Sequence, residues 1–130
     1  MEEMNIQHKG GMGFRVNVRE HVIISDQPKE KGGVNEGPTP PELFIASLGT
    51  CIGVYAVWFC QKHKIAYEGM KLNIVWAKST NAPTRIEQID ITVSLPEGCP
   101  ETLKKGLHEQ AEKCLVHNTI TYPPEINIVI

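Results

Sequence analysis

The sequence predicts an α+β fold with the element order β-β-α-β-β-α-β, built around a long, buried central helix. Strand-like alternation of apolar and polar residues occurs on both sides of an uncharged run from Leu43 to Cys60. An apolar stripe with helical spacing then follows Pro100. Because 130 residues with 41% hydrophobic content are enough for one core and no more, we expect residues 1–130 to form a single domain.

Two strands are expected near the amino terminus. Phe14, Val16 and Val18 alternate with polar residues, and a second β-rich run extends from Val22 to Ile24. From Asp26 to Pro41 the chain carries four prolines and three glycines, which exclude regular structure and predict a long loop. Loops of this length in a small domain often have a function.

The central helix is expected to begin at the sequence Thr-Pro-Pro-Glu. Thr39 can cap the helix, proline suits its first turn, and Glu42 completes a capping box. The apolar pattern continues to about His63. The sequence therefore predicts a single helix from the end of the loop to His63.

The uncharged run within this helix is long enough to cross a membrane. We expect no membrane, because small and polar residues dilute the run and no basic residues flank its amino-terminal end. The diluting residues are Ser47, Gly49, Thr50 and Gly53. A helix that is apolar all round is buried on every side, so in a chain this short a second subunit is expected to cover it.

The second half of the chain predicts a β-hairpin, a helix and a last strand. Apolar residues alternate from Met70 to Trp76 and again from Ile89 to Leu95. A helix is expected from Pro100 to Cys114, with Cys114 on its buried face. The last strand is expected where isoleucines alternate, at Ile126, Ile128 and Ile130.

Charge and composition argue against nucleic-acid binding and against secretion. The net charge of −2 and the scattered basic residues lack the positive patch that nucleic-acid binding requires. Residues Met1 to Lys9 lack the basic and then apolar pattern of a secretory signal, so a cytoplasmic location is expected. In that reducing compartment the four cysteines are expected to be thiols or redox-active groups rather than structural disulfides.

Cys51 lies inside the central helix between Gly49 and Gly53. Each glycine lowers the stability of a helix by about 1 kcal/mol relative to alanine, so we expect the two glycines to serve packing or function. Either the glycines allow another backbone to approach closely, with Cys51 as a small core residue, or they leave space beside the sulfur for a substrate. The residues alone leave both interpretations open.

Two segments together resemble the OsmC/Ohr family of organic hydroperoxide resistance proteins. The first is Gly-Pro-Thr-Pro-Pro-Glu-Leu-Phe-Ile-Ala-Ser-Leu-Gly-Thr-Cys, from Gly37 to Cys51, and the second is Cys-Leu-Val-His-Asn-Thr-Ile, from Cys114 to Ile120. The resemblance extends over nearly the whole chain in element order. It implies an intertwined homodimer that reduces organic hydroperoxides with electrons from a dithiol such as dihydrolipoamide. By this resemblance Cys51 matches the peroxidatic cysteine and Cys114 the resolving one.

The chemistry implied by the resemblance needs no cofactor beyond the two thiols. A thiolate attacks the peroxide, the resulting sulfenic acid condenses with the second thiol, and a dithiol reduces the disulfide. The family supplies an arginine from its amino-terminal region to favour the thiolate. Arg15 and Arg19 are both candidates, and no motif decides between them.

The family also places an acidic residue near the start of the central helix, ten positions before the cysteine. Pro41 occupies that place here, and Glu42 follows one residue later. At about 100° per residue, Glu42 lies on the opposite side of an ideal helix from Cys51. Glu42 is therefore a candidate both as an active-site residue and as a helix cap only.

The remaining cysteines and two histidines allow a different interpretation. Cys60 with His63, and Cys114 with His117, form two Cys-x-x-His pairs whose four side chains match the ligands of a zinc site. We expect no metal there, because such pairs arise easily by chance in helices and the second belongs to the family motif. His117 is expected to order the turn after the second helix instead.

Two further interpretations assume the same fold without catalytic activity. A non-catalytic dimer of this fold would bind a small apolar ligand, or would sense oxidants through Cys51 without turnover. Cys60 is expected to be a core residue and Cys99 an incidental thiol in a loop.

Overall fold

The computed structural model describes residues 2–130, and their contacts divide the chain into two compact units between Ala46 and Ser47. The first unit contains an antiparallel sheet with strand order β1-β2-β3. Its strands are β1 (Asn5–Gly10), β2 (Gly13–Val18) and β3 (His21–Ser25). The long helix α1 (Pro40–His63) starts in the first unit and continues into the second.

The second unit contains most of α1, an antiparallel hairpin and two shorter helices. These elements are β4 (Lys71–Lys78), β5 (Ile86–Ser94), α2 (Lys104–Glu112) and α3 (Leu115–Thr121). A single 3-10 turn, Glu101–Leu103, leads directly into α2. The predicted α+β class is confirmed, as are the hairpin and the long helix.

The strand β1 is an addition to the predicted order. All six of its residues are exposed, so it has no buried face and shows no alternation of apolar residues. It forms because its backbone pairs with β2, from Asn5 opposite Asn17 to Gly10 opposite Gly13. The tight turn between the strands places Gly10 and Gly11 at positive φ, where glycine is tolerated without steric cost.

The predicted last strand at Ile126, Ile128 and Ile130 was wrong for the isolated chain. Residues 123–130 have no regular structure and their apolar side chains are exposed. A strand needs a neighbour for its backbone N–H and C=O groups, and none of the strands within residues 2–130 pairs with this segment. The alternating isoleucines are typical of a strand, but the described part of this chain supplies no strand to pair with them.

The predicted long loop is ordered around one buried carboxylate. Asp26 is 2% exposed and accepts hydrogen bonds from the backbone N–H groups of Gln27, Val34 and Glu36, at 2.7 to 3.1 Å. These hydrogen bonds, led by that from Glu36, lower the pKa of the Asp26 carboxyl. The charged side chain therefore fixes the loop that leads towards α1.

Helix α1 begins with the predicted capping box. The Glu42 carboxylate accepts the backbone N–H of Thr39 at 3.2 Å, and Thr39 Oγ1 accepts the backbone N–H of Glu42 at 3.4 Å. The helix ends at His63, where Lys64 adopts a left-handed backbone conformation with φ of 56°. Both predicted ends of the helix are confirmed.

Within the second unit, α1 packs closely against the hairpin. Leu48 and Ile52 are buried beneath inward-facing residues of both strands, which are Leu72, Ile89, Ile91 and Val93. A Cβ atom added at Gly49 would lie 2.4 Å from Ile74 Cδ1, so the end of the Ile74 side chain would have to move to make room for it. At Gly53 an added Cβ would lie 3.5 Å from Leu72 Cδ1, which is an ordinary contact.

The opposite face of α1 is not covered within one chain. Val54 is 47% exposed and Trp58 is 52% exposed, although the sequence predicts a helix buried on all sides. By length and composition α1 also qualifies as a membrane-crossing helix, a test that the core helix of a soluble protein passes as well. The single chain therefore buries one face of α1 against the hairpin and leaves an apolar face open.

Alanine substitutions at the two glycines of α1 should have different effects on stability. Gly49→Ala places a methyl group against Ile74, and overpacking of this kind costs about 1–3 kcal/mol. Gly53→Ala meets only an ordinary contact and gains up to about 1 kcal/mol from better helix propensity. We expect urea denaturation to show a lower free energy of unfolding for Gly49→Ala and an equal or higher one for Gly53→Ala. Equal losses in both variants would contradict the close packing described at Gly49.

Candidate functional site

The structure brings Cys51 and Cys114 together in the second unit. Cys51 lies midway along α1, is partly buried, and packs against the core cluster that contains Cys114. Cys114 is fully buried, and its thiol lies near enough to the thiol of Cys51 for Cys51 to raise its pKa. Both are free thiols in this structure. Two neighbouring thiols of unequal accessibility can form a disulfide by two-electron oxidation.

Cys114 does not end the second helix, as the sequence predicts, but precedes a third one. The predicted helix from Pro100 stops at Glu112, and Cys114 has an extended backbone, with φ of −59° and ψ of 140°. Its Sγ accepts the backbone N–H of His117 at 3.2 Å and so caps α3. The turn expected after the second helix is this helix, Leu115–Thr121. The helical segment is interrupted at Cys114, where the sulfur accepts a backbone N–H as the side-chain oxygen of a typical N-cap residue does.

The buried position changes the acidity of Cys114. Burial raises the pKa of the Cys114 thiol, the hydrogen bond from the His117 N–H lowers it, and the hydrogen bond with Cys51 raises it. The net effect is a raised pKa. Because a thiol already has a pKa of about 8.5, Cys114 is protonated at neutral pH. Its proton must therefore be removed before its sulfur can react as a nucleophile.

A cleft of about 750 Å³ lies beside this thiol pair, between β5, α2 and the loop that joins them. Ile52, Ile89, Ile91 and Val93 contribute both to the cleft wall and to the core around the thiols. Neither Cys51 nor Cys114 lines the cleft itself. Its polar lining residues are Ser94, Cys99, Lys104, His108, Glu112 and His117. The volume is within the usual range of small-molecule sites, about 300–1,000 Å³.

The candidate arginines and the candidate acid lie in the first unit, where Arg15 and Glu42 have local hydrogen-bond partners. Arg15 is on β2, and its Nε donates to Asn17 Oδ1 at 3.2 Å. Arg19 is in the turn between β2 and β3, with φ of 52°. Glu42 forms the capping box of α1. Glu42 therefore caps α1, as the sequence predicts.

The four side chains of the zinc interpretation are not brought together. Cys60 is fully buried, as expected of a core residue, and burial raises the pKa of its thiol. The ring of His63 lies against Phe59, with the ring centroids 4.2 Å apart. Throughout residues 2–130, the structure places no group of three or more His, Cys, Asp or Glu side chains where they would hold a metal ion.

His117 is a feature that the sequence indicated only by its spacing from Cys114. Its backbone N–H contacts the Cys114 sulfur, and its ring lines the cleft. Its Nδ1 atom is buried and has no hydrogen-bond partner among the described residues. Sequence reasoning singled out His117 as a metal ligand or a turn residue, and the buried nitrogen was not foreseeable from the spacing.

Comparisons with known proteins identify the same architecture elsewhere. The family model described as OsmC-like protein matches residues 33–129. No curated protein matches the chain. Among solved structures, a Psychrobacter arcticus protein named for osmotic stress induction and the detoxification response has a TM-score of 0.82 at 18% identity, covering 92% of this chain and 88% of its own.

Two further structures are similar. An OsmC-like protein from Mycoplasma pneumoniae has a TM-score of 0.77 at 18% identity, with 93% of this chain and 87% of its own covered. An organic hydroperoxide resistance protein from Legionella pneumophila has a TM-score of 0.69 at 18% identity, with 92% and 88% covered. At these identities the structural likeness establishes the fold.

Proposed function

The chain belongs to the OsmC-like family, and from this premise we propose that it is a thiol-dependent peroxidase that reduces organic hydroperoxides. The packing of Cys51 against the core cluster that contains Cys114, with the two thiols near enough for Cys51 to raise the pKa of Cys114, carries this proposal. The similar Legionella pneumophila protein is named for organic hydroperoxide resistance, which supports the substrate class. Such a reaction requires a nucleophilic sulfur and a second thiol within reach, and two free thiols in one core support this assignment.

The different accessibility of the two sulfurs assigns their roles. Cys51 is partly exposed and attacks the peroxide oxygen as a thiolate, which releases an alcohol and leaves a sulfenic acid on Cys51. Cys114 is fully buried against it and then condenses with the sulfenic acid, which releases water and forms a disulfide. An external dithiol such as dihydrolipoamide reduces the disulfide and restores both thiols. A reducing cytoplasm is the compartment proposed for this cycle.

The Cys51 thiolate needs a neighbouring cation. The proposal assigns this function to Arg15 or Arg19, both of which are exposed in the first unit. Glu42 is assigned to the helix cap, because its carboxylate already accepts the Thr39 N–H. Separate substitutions of the two arginines would decide which one serves the thiolate.

A homodimer is proposed from the apolar surface that one chain leaves open. Val54 and Trp58 lie on the uncovered face of α1, and the apolar tail from Ile126 to Ile130 is also exposed. Monomeric proteins rarely expose contiguous apolar surface of this kind. A second subunit that covers α1 and the tail would remove both surfaces from water.

The cleft beside the thiols favours a second candidate function, a non-catalytic dimer that binds a small apolar ligand. Half of its lining residues are aliphatic and its volume is about 750 Å³. Turnover distinguishes this candidate from a peroxidase, because a binding protein consumes no peroxide.

Purified protein should consume cumene hydroperoxide when dihydrolipoamide is present. Cys51→Ser removes the proposed nucleophile, so the rate should fall at least about 100-fold. Cys99→Ser is the matched control, since Cys99 is also a partly buried free thiol and should retain the wild-type rate. The measurement is steady-state peroxide consumption. Full activity in Cys51→Ser would mean that the nucleophile is misassigned, and an inactive wild type would favour the binding protein.

Light scattering should give about twice the mass of the 14.5 kDa chain. Trp58→Glu places a charge on the open apolar face of α1, so the dimer should dissociate at micromolar concentration. Val75→Glu, which changes an exposed apolar residue of β4, should leave the dimer intact. A monodisperse wild-type monomer would refute the proposed assembly.

A further inference from the structure

The start of helix α3 is held by the sulfur of Cys114. Its Sγ accepts the backbone N–H of His117 at 3.2 Å, and the backbone of Cys114 itself is extended. The first N–H groups of a helix have no partner within the helix, so a side chain that accepts one of them stabilises the first turn. In α1 the oxygens of a capping box do this, whereas in α3 a thiol sulfur does. The stability of α3 therefore depends in part on the state of a cysteine.

Helix α3 is a marginal element without this cap. It has seven residues, and isolated helices shorter than about 12 residues are marginal in water. Val116 packs against the core cluster, but Leu115 is 68% exposed and Ile120 is 42% exposed. The sequence of residues 115–121 contains no acidic side chain that would interact favourably with the amino-terminal end of the helix. Loss of the sulfur cap is therefore expected to have a measurable effect on α3.

Cys114 is also the partner of Cys51, and a disulfide between them requires a sulfur to move. Both cysteines are free thiols in this structure. Non-bonded heavy atoms lie about 3.5 Å or more apart, whereas the two sulfurs of a disulfide lie about 2.05 Å apart. The two sulfurs must therefore approach each other by about 1.5 Å or more when the bond forms.

The positions of the two cysteines indicate which sulfur moves. Cys51 lies midway along the 24-residue helix α1, next to Ile52, which is buried against the hairpin. Cys114 lies in the short extended link between α2 and α3, so its backbone can adjust more easily. The sulfur that moves towards Cys51 is the same atom that accepts the His117 N–H. The geometry of the cap therefore changes when the S–S bond forms.

We propose that α3 is a redox-sensitive element, capped and ordered when Cys114 is a thiol and loosened when Cys114 is bonded to Cys51. In the oxidising step the Cys114 S–H bond breaks, an S–S bond forms, and the hydroxyl group of the Cys51 sulfenic acid leaves with that proton as water. A dithiol reverses the change, because it reduces the disulfide to two thiols and becomes a disulfide itself. Oxidation in the core thereby alters the order of a helix at the surface. This proposal rests on the disulfide of the proposed function.

The coupling between the disulfide and the helix acts in both directions. If the disulfide loosens α3, a substitution that favours the helical state must favour the two thiols over the disulfide. Thr119 allows this to be tested, because it is an exposed residue within α3. Its Oγ1 donates to the carbonyl oxygen of Leu115 at 2.8 Å. Thr119→Ala and Thr119→Gly both remove that hydrogen bond, so the two variants differ in helix propensity.

The first test measures amide hydrogen exchange in α3 by mass spectrometry. The disulfide is made with diamide, a two-electron oxidant of thiols, and peptide mapping verifies that it links Cys51 and Cys114. Peptides covering residues 115–121 should exchange about 5-fold faster in the oxidised protein than in the reduced protein, which is a typical effect of losing a helix cap. Peptides of β5 should exchange at the same rate in both. Equal exchange of α3 in the two states would overturn the proposal.

Cysteine variants are the controls for this test. Cys51→Ser keeps the Cys114 cap but cannot form the disulfide, so diamide should leave exchange in α3 unchanged. Cys114→Ser keeps a capping side chain, so its α3 should exchange no faster than that of the reduced wild type. Cys114→Ala removes the cap, so exchange in α3 should be faster without any oxidant. Wild-type exchange in Cys114→Ala would contradict the capping function on which the proposal depends.

The second test measures the equilibrium between the disulfide and the two thiols in mixtures of reduced and oxidised dithiothreitol. Alanine and glycine differ in helix propensity by an amount equal to about a 5-fold change in helix stability. Thr119→Gly should therefore favour the disulfide by up to about 5-fold relative to Thr119→Ala. Glu109→Gly and Glu109→Ala, at an exposed position of α2, are the control pair and should have equal equilibria. Equal equilibria for the two Thr119 variants would refute the coupling.

The outcomes separate this proposal from the proposed function. If diamide produces the disulfide and peroxide does not, the peroxidase function fails, and exchange in α3 still decides whether the helix responds to oxidation. If peroxide produces the disulfide and exchange in α3 stays the same, the peroxidase function stands and the redox-sensitive helix is refuted.

Discussion

The close packing of α1 on the hairpin is the constraint on which the site depends. Gly49 has no side chain, so the Ile74 side chain packs directly against the helix, and a Cβ at this position would displace its terminal methyl group. This approach buries Leu48 and Ile52 in the same core as Cys114 and sets Cys51 against that core two residues after Gly49. Gly49 is therefore part of the same helix–hairpin packing that holds Cys51 against the core.

Cys114 has a structural and a chemical function at the same atom. Its sulfur caps α3 by accepting the His117 N–H, and it also lies near the Cys51 thiol. Oxidation to a disulfide would change a thiol that holds the start of a seven-residue helix. The helix cap and the thiol pair are therefore linked through one sulfur atom.

Patterns that depend on local physics were predictable from the sequence. The capping box at Thr39 and Glu42, the hairpin and the long uncharged helix follow from spacing and residue type. The strand β1 has no buried face and was missed, and the tail was assigned a strand for which the chain supplies no partner. The contact between Cys51 and Cys114 depends on tertiary packing over more than sixty residues, so only the family resemblance indicated it.

The most direct test of the central claim is to map the disulfide that peroxide produces. A mixture of isotope-labelled and unlabelled protein is treated with one equivalent of cumene hydroperoxide, digested without reduction and analysed by mass spectrometry. The account predicts that Cys51 is linked to Cys114 and that both peptides carry the same isotope label, because the two thiols lie near each other within one chain. Oxidation of Cys60 or Cys99 while Cys51 remains unmodified would contradict it.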